Sequence, residues 1–305
     1  MTKFSFLMPA YKTAFLKDAI ESILNQSVSD FELIISDDCS PDPVKGVYEL
    51  FSSDPRVRYL CNSSNIGAEK LVSHWNILLR EARGEFIIVA GDDDIYENNF
   101  LQNVNKVTEE YPLLDLIRAR TRRIDYQGKL LEEEKQQSKF FWGCKDFLYK
   151  QFGPDHIHCM GSFVFRKEAL ITRGGFVDFK LAWFSDDASS IMCSENGVVL
   201  TSAVCFNFRT STANISELKN KSMTMMKCCS TQSFFKWYKG WLSHRFNYYD
   251  TRRLLLEAKK YCYHLLTFDA SVMSLTFFEL LKVMYTFSSI RIGLFWMKRK
   301  IAAFF

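Results

Sequence analysis

Through the first two thirds of the chain, short apolar runs rich in β-branched and aromatic residues alternate with amphipathic stretches. Phe4–Met8 (FSFLM) reads as a strand, and Ala14–Gln26 sets Phe15, Ala19, Ile20, Ile23 and Leu24 at helical spacing. Phe31–Ser36 (FELIIS) reads as a second buried strand and Val44–Phe51 as a helix. Val57–Cys61 is a third strand, followed by the polar turn Asn62–Gly67 (NSSNIG). Leu71–Ala82 carries Leu71, Trp75, Leu78 and Leu79 on one helical face. The apolar run Phe86–Ala90, bounded by Gly84 and Gly91, is too short for a helix and suits a strand covered on both faces. Four alternations of strand and helix predict parallel strands with right-handed crossovers, an α/β fold.

Phe100–Tyr111 reads as a helix closed by Pro112, and Leu113–Tyr126 as a strand entering a turn at Tyr126–Lys129. Arg118, Arg120 and Arg122 alternate along that strand, which predicts one basic face, either beside a phosphate site or on a solvated edge strand. Glu132–Lys139 reads as a charged, exposed connection. His156–Arg166 gives a loop, a small-residue turn at Gly161 and Ser162, and a strand; Lys167–Thr172 follows as a helical turn. After Gly174 and Gly175, Phe184–Met192 reads as a helix, and Val198–Arg209 as the last strand. Residues 216–305 carry helical patterning without further strand rhythm.

Composition narrows the class. With 305 residues and 48% hydrophobic positions, the chain can bury one large core or two modest ones. Nine scattered cysteines without a Cys-x-x-Cys pair suggest reduced thiols and a cytoplasmic location. Neither a signal peptide nor an uninterrupted apolar run of about 18 residues is evident. The net charge of +4 is unevenly spread: residues 1–215 sum to −6 and residues 216–305 to +10. The apolar stretch 265–297 and the basic run Lys298–Lys300 leave two readings. One is a helix pair packed on the catalytic body or on a second copy in a homo-oligomer. The other is peripheral attachment at the cytoplasmic face of the inner membrane. No nucleic-acid motif accompanies the basic tail.

Carboxylates recur where the predicted strands and turns end: Asp37 and Asp38, then Asp92, Asp93 and Asp94, then Asp186 and Asp187. In open α/β sheets ligands bind beyond the carboxyl ends of the strands. Three adjacent carboxylates repel one another, and a hard divalent ion such as Mg²⁺ or Mn²⁺, which takes one or two carboxylates plus water and phosphate oxygens, relieves that repulsion. Asp186 and Asp187 are equally readable as residues capping a helix.

Together, SFLMPAYK, FELIISDDCSPD, NSSNIG with HWN and EARGEFIIVAGDD, and GGF with SDDA resemble glycosyltransferase family 2 over about residues 3–212. That resemblance implies the GT-A fold, a Rossmann-like, mostly parallel central sheet with flanking helices, here with a helical extension over 216–305. It divides residues 1–215 into a nucleotide-binding half, about 1–115, and an acceptor-binding half, 116–215. It also implies an inverting transferase moving a sugar from a nucleotide-diphosphate donor, UDP favoured, to a glycan or lipid-linked glycan of a bacterial surface polysaccharide. Pro9, Ala10 and Tyr11 would line the nucleoside pocket, Asp38 would accept a hydrogen bond from the base, and Asn65 and Gly67 would shape the base and ribose side. Asn76 matches an asparagine usual in the family, whereas Trp75 stands where Arg is common. The family's Asp-x-Asp-Asp has Ala90 at its first position here. Asp92 would hold ribose or sugar, and Asp93, with Asp94 as a further carboxylate, would bind Mn²⁺ or Mg²⁺. Asp187 matches the catalytic base, Asp186 its support and nearest competitor, and Arg209 a cation for the departing diphosphate. His156 and His158 are acceptor-side candidates. Two alternatives stand beside this: an inactive nucleotide-sugar-binding module, and a nucleotidyltransferase, for which PAYKTAF lacks the Gly-rich triphosphate loop.

Overall fold

Phe4–Ala10 (β1) and Phe31–Asp37 (β2) are apolar nearly throughout because both faces of each strand are covered. The computed structural model describes residues 2–153, 156–210, 214 and 220–268, with side chains as far as residue 262. The chain runs β1, α1 (Leu16–Leu24), β2, α2 (Val44–Glu49), β3 (Val57–Cys61), α3 (Leu71–Glu81), β4 (Phe86–Val89), β5 (Ile95–Tyr96) and α4 (Phe100–Glu110). It continues through β6 (Leu116–Ile124), β7 (Leu130–Glu133), β8 (Phe141–Trp142), α5 (Cys144–Gln151), β9 (Phe163–Arg166), α6 (Lys167–Thr172), α7 (Ser185–Met192) and β10 (Val198–Arg209). Two helices follow, α8 (Lys221–Ser243) and α9 (Tyr248–Phe268).

Among the described residues one sheet carries all ten strands in the order β3-β2-β1-β4-β9-β6-β10-β5, with β7 on β6 and β8 on β10. The long pairings β1–β2, β2–β3, β1–β4 and β6–β10 are parallel, and the short ones are antiparallel. Period-two alternation sorts the core into two layers. Phe4, Phe6 and Met8 join Phe86, Ile88 and Ala90 against α1 and α4, while Leu7, Ile87 and Val89 face the layer that holds α3. The described part of the tail joins that layer from outside, α8 against α7 and the turn Lys180–Ala182 and α9 against α5, through Phe234, Tyr238, Trp241 and Leu254. The apolar stretch 269–297 and the basic run beyond it lie outside the described residues.

Pro9 explains where the sheet opens. The Ala90 amide donates to Leu7 O at 2.8 Å, so odd-numbered residues of β1 face β4, and the next donor position on that side is Pro9, which has no N–H. The β1–β4 register ends at Leu7 opposite Val89. The two strands part there, and a crevice begins at their carboxyl ends.

One expectation is corrected on the far side of the sheet. β6 is an interior strand between β9 and β10, so Arg118 and Arg120 are neither solvated nor beside a phosphate site. Both turn inward and pair. Arg118 ion-pairs Glu134 and donates to Ile157 O at 3.1 Å; Arg120 donates to Gln136, Ser202 O and Glu134 O. Only Arg122, bridging Glu97 and Glu133, keeps a partly open position. The stretch Glu132–Lys139 is mostly exposed, as expected, except that its first two residues end β7 and Glu134 is buried. Burial alone would raise the Glu134 carboxyl, but the Arg118 charge and donors from His156, Arg118 and the Ile157 amide carry it well below the usual carboxylate range.

Candidate active site

The first side of the crevice is assembled around Asp38, at the end of β2. Its Oδ1 accepts from Asn62 Nδ2 at 2.9 Å and the Ile66 amide at 2.8 Å, and its Oδ2 from the Gly67 amide at 2.9 Å. Asn65 Nδ2 closes the loop on Asp38 O at 2.9 Å. A carboxylate offers about four acceptor positions, so Asp38 folds the 62–67 loop and retains about one for a ligand. Gly67 has φ +79°, a conformation L side chains rarely adopt. The Asp38 amide donates to Ala10 O at 3.0 Å, which ties this loop to β1. Ala10 itself is buried and reaches a ligand only through its backbone. Tyr11 is 44% exposed, with its backbone tied to Asp92 and Ser40.

Asp92 does not stand free to hold a sugar. Its Oδ2 accepts the Tyr11 amide at 3.1 Å and the Lys12 amide at 3.0 Å, so it fixes the loop that carries Tyr11. Asp94 also departs from expectation. It is buried at 5% exposure, its Oδ1 receives the Arg209 amide at 3.0 Å, and burial followed by the Asp93 charge raises its carboxyl well above the usual range. Asp94 thus has one oxygen committed to the Arg209 backbone, and Asp93 is the more open carboxylate of the two. Burial, then the neighbouring Asp92 charge, pushes Asp93 up to about 6 against the pull of Lys12 and Arg209. A divalent cation would supply the positive charge that Asp93 lacks, and one or two carboxylates with water and phosphate oxygens suffice for Mg²⁺ or Mn²⁺. Asp93 beside Asp92 fits such an ion. No group of three His, Cys, Asp or Glu among the described residues forms a cage on its own.

Arg209 ends β10 with its guanidinium over the Phe15 ring at 4.4 Å. It donates to Asp93 O at 2.8 Å and to Tyr126 O at 3.1 Å, binding the acidic turn to the β6–β7 hairpin.

The second acidic pair lies at the start of α7, entered through Phe184 in the left-handed region. Asp187 is buried, and its Oδ1 accepts from Gln151 Nε2 at 2.7 Å and from His158 Nδ1 at 3.0 Å. Asp186 accepts the Asp187 amide at 2.9 Å. Part of Asp186 reaches solvent, yet its recess is deep enough that burial, then the Asp187 charge, pushes its carboxyl up to about 7. His156 and His158 part company. His156 is sealed between Glu134 and Trp142, and burial pushes it down to about 4, so the structure removes it from the acceptor side. His158 stays beside Asp187. From His158 the chain runs on to Gly161, whose carbonyl accepts from Tyr96 Oη at 3.1 Å just beyond the Asp92–Asp94 turn, so the segment 158–161 links the two acidic centres.

Supporting residues surround both. Asn76 receives the Phe176 amide at 2.8 Å and donates to Phe176 O at 3.1 Å, which pins the Gly174–Gly175 turn ahead of α7. Trp75, in the position where an Arg was expected, is core against Phe176. Gln151, Tyr261 and Glu134, the buried partner of Arg118, carry no motif in the sequence. Their only signal is a lone neutral polar residue on the apolar face of α5, and charges inside a strand that also carries Leu116, Ile117 and Ala119.

The Glycosyl transferase family 2 model matches residues 5–174, more than half of the chain. The chain belongs to glycosyltransferase family 2. Among curated relatives, it is 30% identical over 177 residues to the GalNAc(5)-diNAcBac-PP-undecaprenol beta-1,3-glucosyltransferase of Campylobacter jejuni, a match over 56% of this chain and 53% of that protein. The chain thus spans about half the length of this relative. Among solved structures, TarS 1-349 of S. aureus in complex with UDP-GlcNAc superposes with a TM-score of 0.68 at 12% identity, over 96% of this chain and 83% of that one. A mannosyltransferase of Pyrobaculum calidifontis, in complex with GDP-Man and Mn2+, gives 0.57 at 14% identity over 99% and 81%. At these identities the superpositions show the fold, a GT-A architecture.

Proposed function

We propose that this glycosyltransferase moves a sugar with inversion from a nucleotide-diphosphate donor, UDP favoured, to a hydroxyl of a glycan or lipid-linked glycan in bacterial surface polysaccharide assembly. The observation that carries the reading is the pair of acidic centres linked through residues 158–161. One suits a cation and a diphosphate, the other a proton. Tyr11 would stack on the base, and Asp38 would take a donor from its edge. Asp93, beside Asp92, would hold Mn²⁺ or Mg²⁺, which when bound offsets charge on the departing diphosphate. Arg209 adds positive charge to the same turn.

Asp187 serves as the base. Its Oδ1 is occupied by Gln151 and His158, which leaves Oδ2 to take the acceptor proton as the acceptor oxygen bonds to the anomeric carbon and the bond to the diphosphate breaks. A second reading gives that step to Asp186, because its partly exposed carboxyl sits at about 7. Transfer rates of Asp187→Asn and Asp186→Asn separate the two: the base variant keeps donor binding and loses transfer. Donor binding without UDP release by the unaltered chain would instead identify an inactive binding module.

The C. jejuni relative named for an undecaprenol-linked substrate supports a lipid-linked acceptor, with contact at the cytoplasmic face of the membrane through the basic tail. Among the described residues no helix is long and apolar enough to cross a membrane.

A further inference from the structure

His158 meets two partners that come from different parts of the chain. Its Nδ1 is 3.0 Å from Asp187 Oδ1, and its ring stacks on Tyr261 of α9 at 4.7 Å between centroids and 26° between planes. An ionised carboxylate only accepts, so the contact with Asp187 requires the imidazole proton on Nδ1. Nε2 is buried without a hydrogen-bond partner among the described residues. The neutral donor Gln151 reaches the same Asp187 oxygen from α5. Tyr261 is in turn walled by Phe152 at 5.7 Å and Phe184 at 6.3 Å. Its hydroxyl is raised well above the usual range by burial and then by the Asp187 and Asp186 charges, consistent with its closeness to both acids. From the other side, the buried Arg118–Glu134 pair grips Ile157 by both backbone groups, with the Ile157 amide on Glu134 at 2.9 Å and Ile157 O on Arg118 at 3.1 Å. The backbone leading into His158 is therefore fixed before its side chain is.

We propose that His158, with Gln151 beside it and Tyr261 of the C-terminal helix stacked on it, is a positioning residue that aims the Asp187 carboxylate at the acceptor. The helices beyond the family-matched region thereby complete the acceptor side. The proposal rests on Asp187 acting as the base. Its physical content is a carboxylate clamped through one oxygen in a water-poor pocket, where donors act more strongly than in solution. Loss of the His158 donor leaves Gln151 alone on that oxygen and frees the carboxylate to turn away from the acceptor.

The test uses the full chain with ¹⁵N-labelled histidine, whose five residues give a tractable spectrum. His158 should show the Nδ1-protonated tautomer, reverting in Asp187→Ala and loosening in Tyr261→Leu. UDP release from UDP-N-acetylglucosamine and from UDP-glucose, with water as acceptor, gives the functional arm. His158→Ala should slow release by about 10²-fold without changing the donor Kd, and His158→Asn, which returns an N–H near the Nδ1 position, should recover part of the rate. An Nε2-protonated His158 that ignores Asp187→Ala would overturn the clamp, as would an unchanged rate in His158→Ala. The tautomer is read without turnover, so a wild-type chain that released no UDP would count against the proposed function while the spectrum still decided the clamp.

Discussion

Asp92–Asp94 and Asp186–Asp187 are both runs of adjacent carboxylates, and the fold treats them in opposite ways. Around the first, the partners include charge: Arg209 and Lys12 pull Asp93 down while burial and Asp92 push it up, leaving it near 6. Around the second, the fixing groups are a side-chain amide and an imidazole, and no Lys or Arg ion pair to either acid is found among the described residues. A carboxylate that two cations still leave near 6, beside the crevice, suits an incoming divalent ion. A carboxylate held by a side-chain amide and an imidazole suits a proton that must come and go. The same residue type is thus steered to two chemistries by its surroundings.

The comparison can be broken most severely at the proton-handling pair. Asp187→Asn should cut transfer by about 10²–10⁴-fold with donor affinity retained, measured as UDP release beside calorimetric binding. Full activity in that variant, with loss in Asp186→Asn, would reassign the base. Next in size is the buried pair that fixes the segment between the centres. Glu134→Ala leaves Arg118 buried and unpaired, and chemical denaturation should show a loss of about 3–5 kcal/mol; a loss below 1 kcal/mol would mean that water replaces the partner.

Asp93→Asn sharpens the other arm. It should abolish metal-dependent donor binding, and because it removes a buried, repelled charge it should also raise the stability of the ligand-free protein at neutral pH by on the order of 1 kcal/mol. The sign follows from linkage. Asp93 titrates higher folded than unfolded, so its penalty is absent below the unfolded value of 3.8, grows as pH rises, and is complete above about 6. Metal-dependent binding runs the other way and should weaken as pH falls through about 6. The smallest effect is expected at Asn76→Ala, which orphans the Phe176 backbone groups and should cost about 1–3 kcal/mol of stability with little change in donor affinity.

Much of the first centre was legible in the sequence because its elements are local. Each of β1, β2 and β4 is a short apolar run ending in polar residues, and β10 was read with its observed bounds, Val198–Arg209. Side-chain roles were less legible because hydrogen bonds do not follow residue type. Asp92 looked like a ligand residue and turned out to hold the Tyr11 loop; Asp94 looked like a second metal ligand and is sealed against the Arg209 amide. The alternating arginines misled for a similar reason. Period-two spacing gives a shared face, but only the strand order shows that the face is interior and lined with Glu134. Gln151 and Tyr261 were out of reach, since their partners lie 36 residues away for Gln151 and in the loop between α5 and β9 for Tyr261.

The most direct test of the central claim is a calorimetric titration of UDP-N-acetylglucosamine and UDP-glucose, with and without Mn²⁺, into the wild-type chain, Asp93→Asn and Asp187→Asn. The account predicts metal-dependent binding of a UDP-sugar by the wild type and by Asp187→Asn, and none by Asp93→Asn. Binding that ignores Mn²⁺ and survives Asp93→Asn would contradict the assignment of the first acidic centre to a cation.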